Sequence, residues 1–421
     1  MRFLYQVFIQ LFNSAVPVYA LFNKKAKLFL DGRKNIFSEL RDKLSSSLEP
    51  SSKVVWFHCS SLGEFEQARP FIERVRKLSA DYKILITFFS PSGYEIRKNY
   101  IGADFVFYLP VDTRSNVKIF LDIVNPSYVF FVKYEFWYNF LSELSVRKIP
   151  TNLISANFRN DQFKGIYGMY LKKVLPFFNN LFVQNELSGK VLFEQDLLHV
   201  VVSGDLRYDQ VSQTVLSVKK NQIVEMFKGE SKLFIVGSSW SVDEEFISNS
   251  MLSLSSNYKL IIAPHEINEE HIQKVVSLFP NSIRFSSLVK DSVSVALEKL
   301  KKSNVLIIDN VGMLSSLYKY ATIAYIGGGF GGGIHNILEA VAFGVPVIFG
   351  PNNHKFPEAQ ELVNSGGAFL MSTKDDFQKI MNHIHSNENS IPSASSICKQ
   401  FVMDRVGATD KISRKVFSNL S

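Results

Sequence analysis

Three short stretches of this sequence gather residue types that can do chemistry. The first is HCSSLGE, His58 to Glu64, which follows the apolar run VVWFH. Ser60, Ser61 and Gly63 make a tight polar turn, so Glu64 falls in the first turn of a following helix. A carboxylate there either stabilises that turn or takes a proton from an incoming hydroxyl as a general base. Cys59 in the same stretch reads as packing at a strand end rather than as a nucleophile. The second stretch is KYEFWYNF, Lys133 to Phe140, after the apolar run YVFFV. Glu135 takes the equivalent strand-end position, and neighbours such as Trp137 either line an acceptor pocket or pack a core.

The third is AYIGGGFGGGIHNILEAVAFGVPVIFGPNN, Ala324 to Asn353. Six glycines run from Gly327 to Gly333, interrupted only by Phe330, and His335-Asn336 suit the start of a helix. Glycines let the backbone approach a ligand closely, and the free N–H groups of a first helical turn attract an anion such as phosphate. Gly328, Gly329, Gly332 and Gly333 therefore read as a phosphate cradle, with His335, Asn336 and Glu339 beside it. Glu339 lies three residues after Asn336 and shares its helix face. No Gly-Lys-Ser/Thr follows, so this is not a P-loop. The competing reading is a glycine-rich turn that packs two elements closely.

Three weaker signals end other apolar runs: SSW with Ser239, PHE with His265, and DNVGML at Asp309 to Leu314. There is no Asp-x-Asp pair of the kind that holds a metal-bound diphosphate, so no metal and no other cofactor is required by the motifs. Leaving-group charge then falls to backbone N–H groups, helix ends and basic side chains.

The elements that must position these residues are legible as an alternation. Val54–His58, Lys83–Phe89, Asp104–Pro110, Tyr128–Val132, Thr151–Ala156 and Asn180–Gln184 read as buried strands, with helical segments such as Glu64–Leu78 and Ser115–Val124 between them. The rhythm breaks over Gly204 to Lys220, where a link between domains is expected. It resumes with Leu233–Ser239, Lys259–His265, Asn304–Asp309, IAYIGG and VPVIF. This is the pattern of parallel sheets covered by helices on both faces. Two Rossmann-like α/β domains are expected, over residues 36–205 and 206–421, after an apolar segment at 1–35. Ligands of such sheets bind beyond the carboxyl ends of the strands, which would put the site in a cleft between two facing domains.

Composition narrows the partners. The 421 residues carry a net charge of +8, spread along the chain without a long basic run or a nucleic-acid-binding module, which argues against nucleic acid. An anionic membrane surface or acidic lipid fits the charge better. Two cysteines, Cys59 and Cys398, are too few for a disulfide framework. From Phe3 to Phe22 the chain is strongly apolar, interrupted by Gln6, Gln10, Asn13 and Ser14, and followed by Lys24, Lys25, Lys27, Arg33 and Lys34. That reads as a membrane-associated helix with a basic cytoplasmic flank, its length marginal for a span, the competing reading being an ordinary core helix.

Taken together and in order, HCSSLGE, KYEFWYN, GDLRYD, APHE, DNVGML and GGGIHNILEAVAFGVPVIFGP resemble the 3-deoxy-D-manno-octulosonic acid (Kdo) transferases of lipid A synthesis. The resemblance runs from about Val54 to Ala408. It implies a GT-B type glycosyltransferase that moves Kdo from CMP-Kdo to lipid IVA at the cytoplasmic face of the inner membrane, with inversion and without a metal. It further implies that Glu64 is the catalytic base and Glu135 a second required acid near the acceptor, with Ser61, Gly63 and Trp137 around the acceptor. Arg207, Ser239, His265, the glycine loop, His335, Asn336 and Glu339 would hold the donor. Departures from the family pattern occur at Cys59-Ser60-Ser61, at Tyr134 to Asn139, and at Arg207, where many members carry lysine; Arg207 keeps the charge but changes phosphate geometry. A same-fold transferase using a UDP- or GDP-sugar, or a non-catalytic nucleotide-sugar or lipid-binding protein, is the alternative.

Overall fold

The computed structural model describes residues 2–250 and 257–418. Two compact units divide the chain, one formed by Met1–Gln210 with Val406–Ser421, the other by Val211–Arg405. The first unit carries a parallel sheet of seven strands: β1 Lys53–Cys59, β2 Tyr82–Phe88, β3 Phe105–Tyr108, β4 Tyr128–Val132, β5 Thr151–Ala156, β6 Asn180–Val183 and β7 Val200–Val202. Their order is β3-β2-β1-β4-β5-β6-β7. Successive side chains of a strand point to opposite faces, and here both faces are covered. Trp56 and Phe131 join one core cluster and Phe57 and Phe130 the other, all four fully buried. That is why these strands read as unbroken apolar runs rather than as alternations.

The second unit repeats the plan with β8 Lys232–Ser239, β9 Tyr258–Pro264, β10 Ser282–Arg284, β11 Val305–Ile307, β12 Ile323–Ile326, β13 Val347–Phe349 and β14 Ala368–Leu370. The order is β10-β11-β9-β8-β12-β13-β14, again parallel among the paired strands. In each sheet the winding reverses beside its first strand, between β1 and β4 and between β8 and β12. Loops leaving such a pair diverge to opposite faces and open a crevice at the strand ends. The motif after β1 and the motif after β4 meet at the first reversal; those after β8 and β12 meet at the second.

Several expectations are corrected. The stretch expected as a link, Gly204 to Lys220, holds the helix Leu206–Ser217, and the boundary between units lies inside it. The last helix, Ala408–Val416, lies in the first unit, not with the second domain as the expected ranges had it. Ala408, Ile412 and Phe417 pack with Leu206 and Phe130. The Asp209 carboxylate accepts hydrogen bonds from the backbone N–H groups of Gly407, Ala408 and Thr409 at 3.2, 3.4 and 3.2 Å for Gly407, Thr409 and Ala408 respectively, closing the helix start. Strands β7, β10 and β14, each three residues long, were not expected.

The apolar N-terminus forms the helix Arg2–Ala20. It is tied down by buried Ile9, by the Tyr5 hydroxyl donating to Asp112 Oδ2 at 2.5 Å, and by Gln6 donating to Asn139 Oδ1 at 2.6 Å. Phe3, Leu4, Phe8, Leu11, Val18 and Tyr19 are each at least 60% exposed. No described helix is long and apolar enough to cross a membrane. Arg33 does not belong to the basic flank. Its guanidinium turns into the fold and donates to the carbonyls of Leu109, Phe29 and Phe89 at 2.7, 2.8 and 2.8 Å.

Candidate active site

At the reversal in the first sheet, β1 ends in His58 and Cys59 and the chain turns through Ser60 and Ser61 into the helix Leu62–Arg76. Glu64 sits half-buried in the first turn of that helix, where Oε2 accepts the Ser60 N–H at 2.5 Å. Burial and the nearby Glu135 push its carboxyl up to about 7; the Ser60 and Ser61 amides and Lys133 oppose the rise. A carboxyl poised there is a competent base near neutral pH. Gly63 is exposed with open space around its Cα, and Ser61 contributes backbone, not its hydroxyl.

Glu135, buried beyond the end of β4, is held by two rings. Trp137 Nε1–H donates to its Oε2 at 2.7 Å, and His58 Nε2 lies 3.1 Å from the same oxygen. The indole nitrogen is also 3.1 Å from His58 Nε2, but the shorter contact takes its hydrogen. His58 Nδ1 lies 2.9 Å from the Thr87 hydroxyl and 3.1 Å from the Thr87 carbonyl oxygen, and that hydroxyl accepts from Trp56 Nε1–H at 2.8 Å. Trp137, expected at the acceptor, is half-buried and spends its indole N–H on Glu135. His58 and Lys133 were missed in sequence. Lys133 takes φ +62, a strained conformation for a lysine, at the end of β4, and its ammonium lies within electrostatic reach of Glu64. Burial lowers its pKa and Glu64 partly restores it.

Arg207, expected at the donor, lies in the first unit and is engaged by Asp205: Nε is 2.8 Å and a second guanidinium nitrogen 2.7 Å from Asp205 Oδ2.

At the reversal in the second sheet, β8 ends in Ser238 at φ +51 and Ser239, and Trp240 caps the helix that follows. Ser239 is fully buried and its hydroxyl donates to Glu244 at 2.9 Å, so it braces the helix Ser241–Asn249. Asp243 is the joint of this edge. Its carboxylate accepts the Trp240 N–H at 3.0 Å, the Gly328 N–H at 2.9 Å and the Tyr325 hydroxyl at 2.6 Å. His265, exposed after β9, and His335 stack with centroids 4.5 Å apart.

The glycine loop is only partly a cradle. A methyl group on Gly329 would lie 2.5 Å from the Gly350 amide nitrogen, and one on Gly327 2.3 Å from the Ser238 carbonyl oxygen. Those positions are glycine so that backbones can touch. Gly328 and Gly333 carry the positive φ values, +90 and +120. Gly332 has open space and is exposed. The expected helix after the loop shrinks to the single turn Leu338–Val341, and the His335 N–H is spent on the Gly327 carbonyl at 3.2 Å. A helix terminus thus gives no anion site here. Asn336 precedes that turn, accepts the Leu338 N–H at 3.1 Å and donates its amide to Glu339 at 3.3 Å, so these two expected residues do meet. Among the described residues no cluster of three or more His, Cys, Asp or Glu is arranged to hold a metal ion.

The contrast within the loop is testable. Gly329→Ala forces backbone apart and is expected to cost about 1–3 kcal/mol, whereas Gly332→Ala is expected to stay within about 0.5 kcal/mol of wild type. Urea denaturation of the full chain compares them; equal stability of the two variants contradicts the packing role of Gly329.

Comparison with known proteins gives the geometry a lineage. A family profile described as 3-deoxy-D-manno-octulosonic-acid transferase (kdotransferase) matches residues 35–210. The chain is 30% identical over 369 residues to a probable mitochondrial 3-deoxy-D-manno-octulosonic acid transferase of Arabidopsis thaliana, covering 81% of this chain and 79% of that one. It is 24% identical over 404 residues to a bifunctional glycosyltransferase/methyltransferase of Fusobacterium nucleatum, covering 92% of this chain but only 60% of that relative's length. A solved UDP-GlcNAc 2-epimerase of Neisseria meningitidis superposes with a TM-score of 0.64 at 17% identity, over 87% of this chain and all of that one. At that identity the likeness speaks for the fold alone, two Rossmann-like α/β domains of the GT-B type. With a relative matched this closely over most of both sequences, the chain belongs to the 3-deoxy-D-manno-octulosonic acid transferase family.

Proposed function

We propose that this protein transfers Kdo from CMP-Kdo to lipid IVA, with inversion and without a metal, at the cytoplasmic face of the inner membrane. The observation that carries the reading is Glu64, a half-buried carboxylate at the reversal point of the first sheet with its pKa raised to about 7. Glu64 takes the proton of an acceptor hydroxyl as its oxygen bonds to the anomeric carbon of Kdo. The bond from that carbon to the phosphate oxygen breaks, and its electron pair leaves with CMP. One base suffices, and direct displacement inverts the centre. Glu135 does not reach the reacting atoms in this scheme; beside His58 and Trp137, it adds its charge to the larger effect of burial in raising the proton affinity of Glu64. The first unit would take the acceptor and the second the CMP-sugar, with His265, His335, Asn336, Glu339 and the exposed part of the glycine loop on the donor.

Purified protein given CMP-Kdo and lipid IVA in EDTA is expected to yield acceptor heavier by one or more Kdo units, read by mass spectrometry. Glu64→Gln is expected to lower turnover by about 10²- to 10⁴-fold while CMP still binds. Because the carboxylate is the active form and its pKa is raised, turnover should fall as pH drops through about 7. No mass gain in wild type, or full activity in Glu64→Gln, contradicts the reading.

Membrane association is supported by the row of exposed apolar side chains on the helix Arg2–Ala20 and by the exposed Lys24, Lys25 and Lys27 that follow. Placing acidic residues on that row, Phe8→Asp with Leu11→Asp, is expected to abolish co-sedimentation with anionic lipid vesicles and leave the circular dichroism spectrum intact. Undiminished sedimentation would end the proposal of a membrane-bound helix.

A further inference from the structure

Three rings meet at the reversal point of the second sheet. Trp240 and His335 lie nearly coplanar, 14° between planes with centroids 6.4 Å apart, and their near edges are joined by a hydrogen bond: Trp240 Nε1 is 3.0 Å from His335 Nε2. His265 stacks on both, with centroids 4.6 Å from Trp240 and 4.5 Å from His335. An indole N–H can only donate. His335 Nε2 must therefore accept, which leaves it without a hydrogen and puts the single N–H of the neutral ring on Nδ1. A methyl group on Gly328 would lie 3.3 Å from His335 Cδ2, so the Cδ2–Nε2 edge is walled by the glycine loop and by Trp240. The Nδ1 edge has no hydrogen-bond partner among the described residues, on a ring only half-buried.

We propose that Trp240 is a positioning residue that locks His335 as the Nδ1–H tautomer, so that this N–H is presented to a phosphate oxygen of the nucleotide donor. The inference rests on the CMP-sugar reading above and adds to it the atom that makes the contact and the residue that sets it. A second proton on His335 would put two N–H groups against each other at the Trp240 contact. Burial and the adjacent His265 already hold the ring's pKa below the usual imidazole range, against a smaller opposing pull from Asp243. The neutral ring is thus the form that keeps the Trp240 contact, and its Nδ1–H offers a phosphate oxygen a hydrogen bond. His335 directly follows the glycine loop, so its Nδ1–H and the exposed Gly332 backbone belong to one short, side-chain-poor stretch of chain.

The tautomer can be read without any ligand. Long-range ¹H–¹⁵N correlation spectra of the ¹⁵N-histidine-labelled protein, with His335 assigned from His335→Asn, are expected to show a protonated Nδ1 and a bare Nε2. Trp240→Phe keeps a ring in the stack but removes the donor, and is expected to move His335 toward the mixed tautomers of a free imidazole. A protonated Nε2 in wild type overturns the proposal. The donor contact is read by calorimetric titration with CMP and with cytidine. The asparagine amide nitrogen stands near the place of Nδ1 and that of glutamine near the place of Nε2. His335→Asn is therefore expected to keep CMP affinity within about threefold, and His335→Gln to lose about tenfold. Cytidine binding should be the same in both. Equal losses for Asn and Gln, or a matching loss with cytidine, overturn the phosphate contact. Failure of wild type to bind CMP at all removes the donor reading itself, while the spectrum still decides the tautomer.

Discussion

Two carboxylates, Glu64 and Glu135, share the end of one parallel sheet, and their mutual repulsion is the constraint that the first unit is wired to contain. Like charges in partly buried surroundings raise each other's cost of ionisation. The fold meets this asymmetrically. Glu135 accepts the Trp137 indole N–H and lies against His58 Nε2, and His58 is in turn fixed by Thr87 deep in the sheet. Glu64 is given the Ser60 and Ser61 amides and the charge of Lys133. Its pKa still rises to about 7, because burial and Glu135 outweigh those partners. Two chemically identical groups are thereby given different surroundings.

The sheet reversal makes that pairing possible. β1 and β4 run side by side, with His58 opposite Phe131, so the residues just beyond their ends are neighbours although some 75 positions separate them in sequence. The same arrangement recurs in the second unit, where β12 lies against β8 with Ile326 opposite Gly237. There the joint is Asp243, one carboxylate binding the helix start, the glycine loop and Tyr325 together. Glycine serves that second edge mainly by letting backbones touch: Gly329 against Gly350, Gly327 against Ser238. Only around Gly332 does the loop stand open.

How much of this was legible in the sequence follows from what each feature depends on. Long apolar strands such as β1, β2 and β8 announce themselves, because strands covered on both faces need apolar residues throughout. Strands such as β10, Ser282–Arg284, do not, since a single apolar residue between polar ones carries no such run. The helix Leu206–Ser217 reads as a linker because its sequence, LRYDQVSQTVLS, is polar and β-branched; tertiary contacts at Leu206, Tyr208 and Val211, all buried, decide its conformation. The membership of Ala408–Val416 in the first unit rests on a contact between residues some 200 positions apart, which no local pattern records. At the site, Glu64 and Glu135 were visible as acids at strand ends. Their partners were less so: His58 stood in the motif but looked like part of a strand, and the bonds of Trp137 to Glu135 and of Arg207 to Asp205 left no mark in the sequence pattern. A residue's type and place suggest what it can bond to, and only the fold says which partner arrives.

The central claim is that burial and, after it, the charge of Glu135 raise the proton affinity of Glu64 to the neutral range. It is tested most directly by ¹³C NMR titration of the Glu64 side-chain carboxyl in wild type and in Glu135→Gln, with the resonance assigned from Glu64→Gln. The account predicts a midpoint near 7 in wild type and a lower one in Glu135→Gln, since removing the neighbouring charge favours ionisation. A wild-type midpoint in the ordinary glutamate range, or no movement when Glu135 is neutralised, would contradict it.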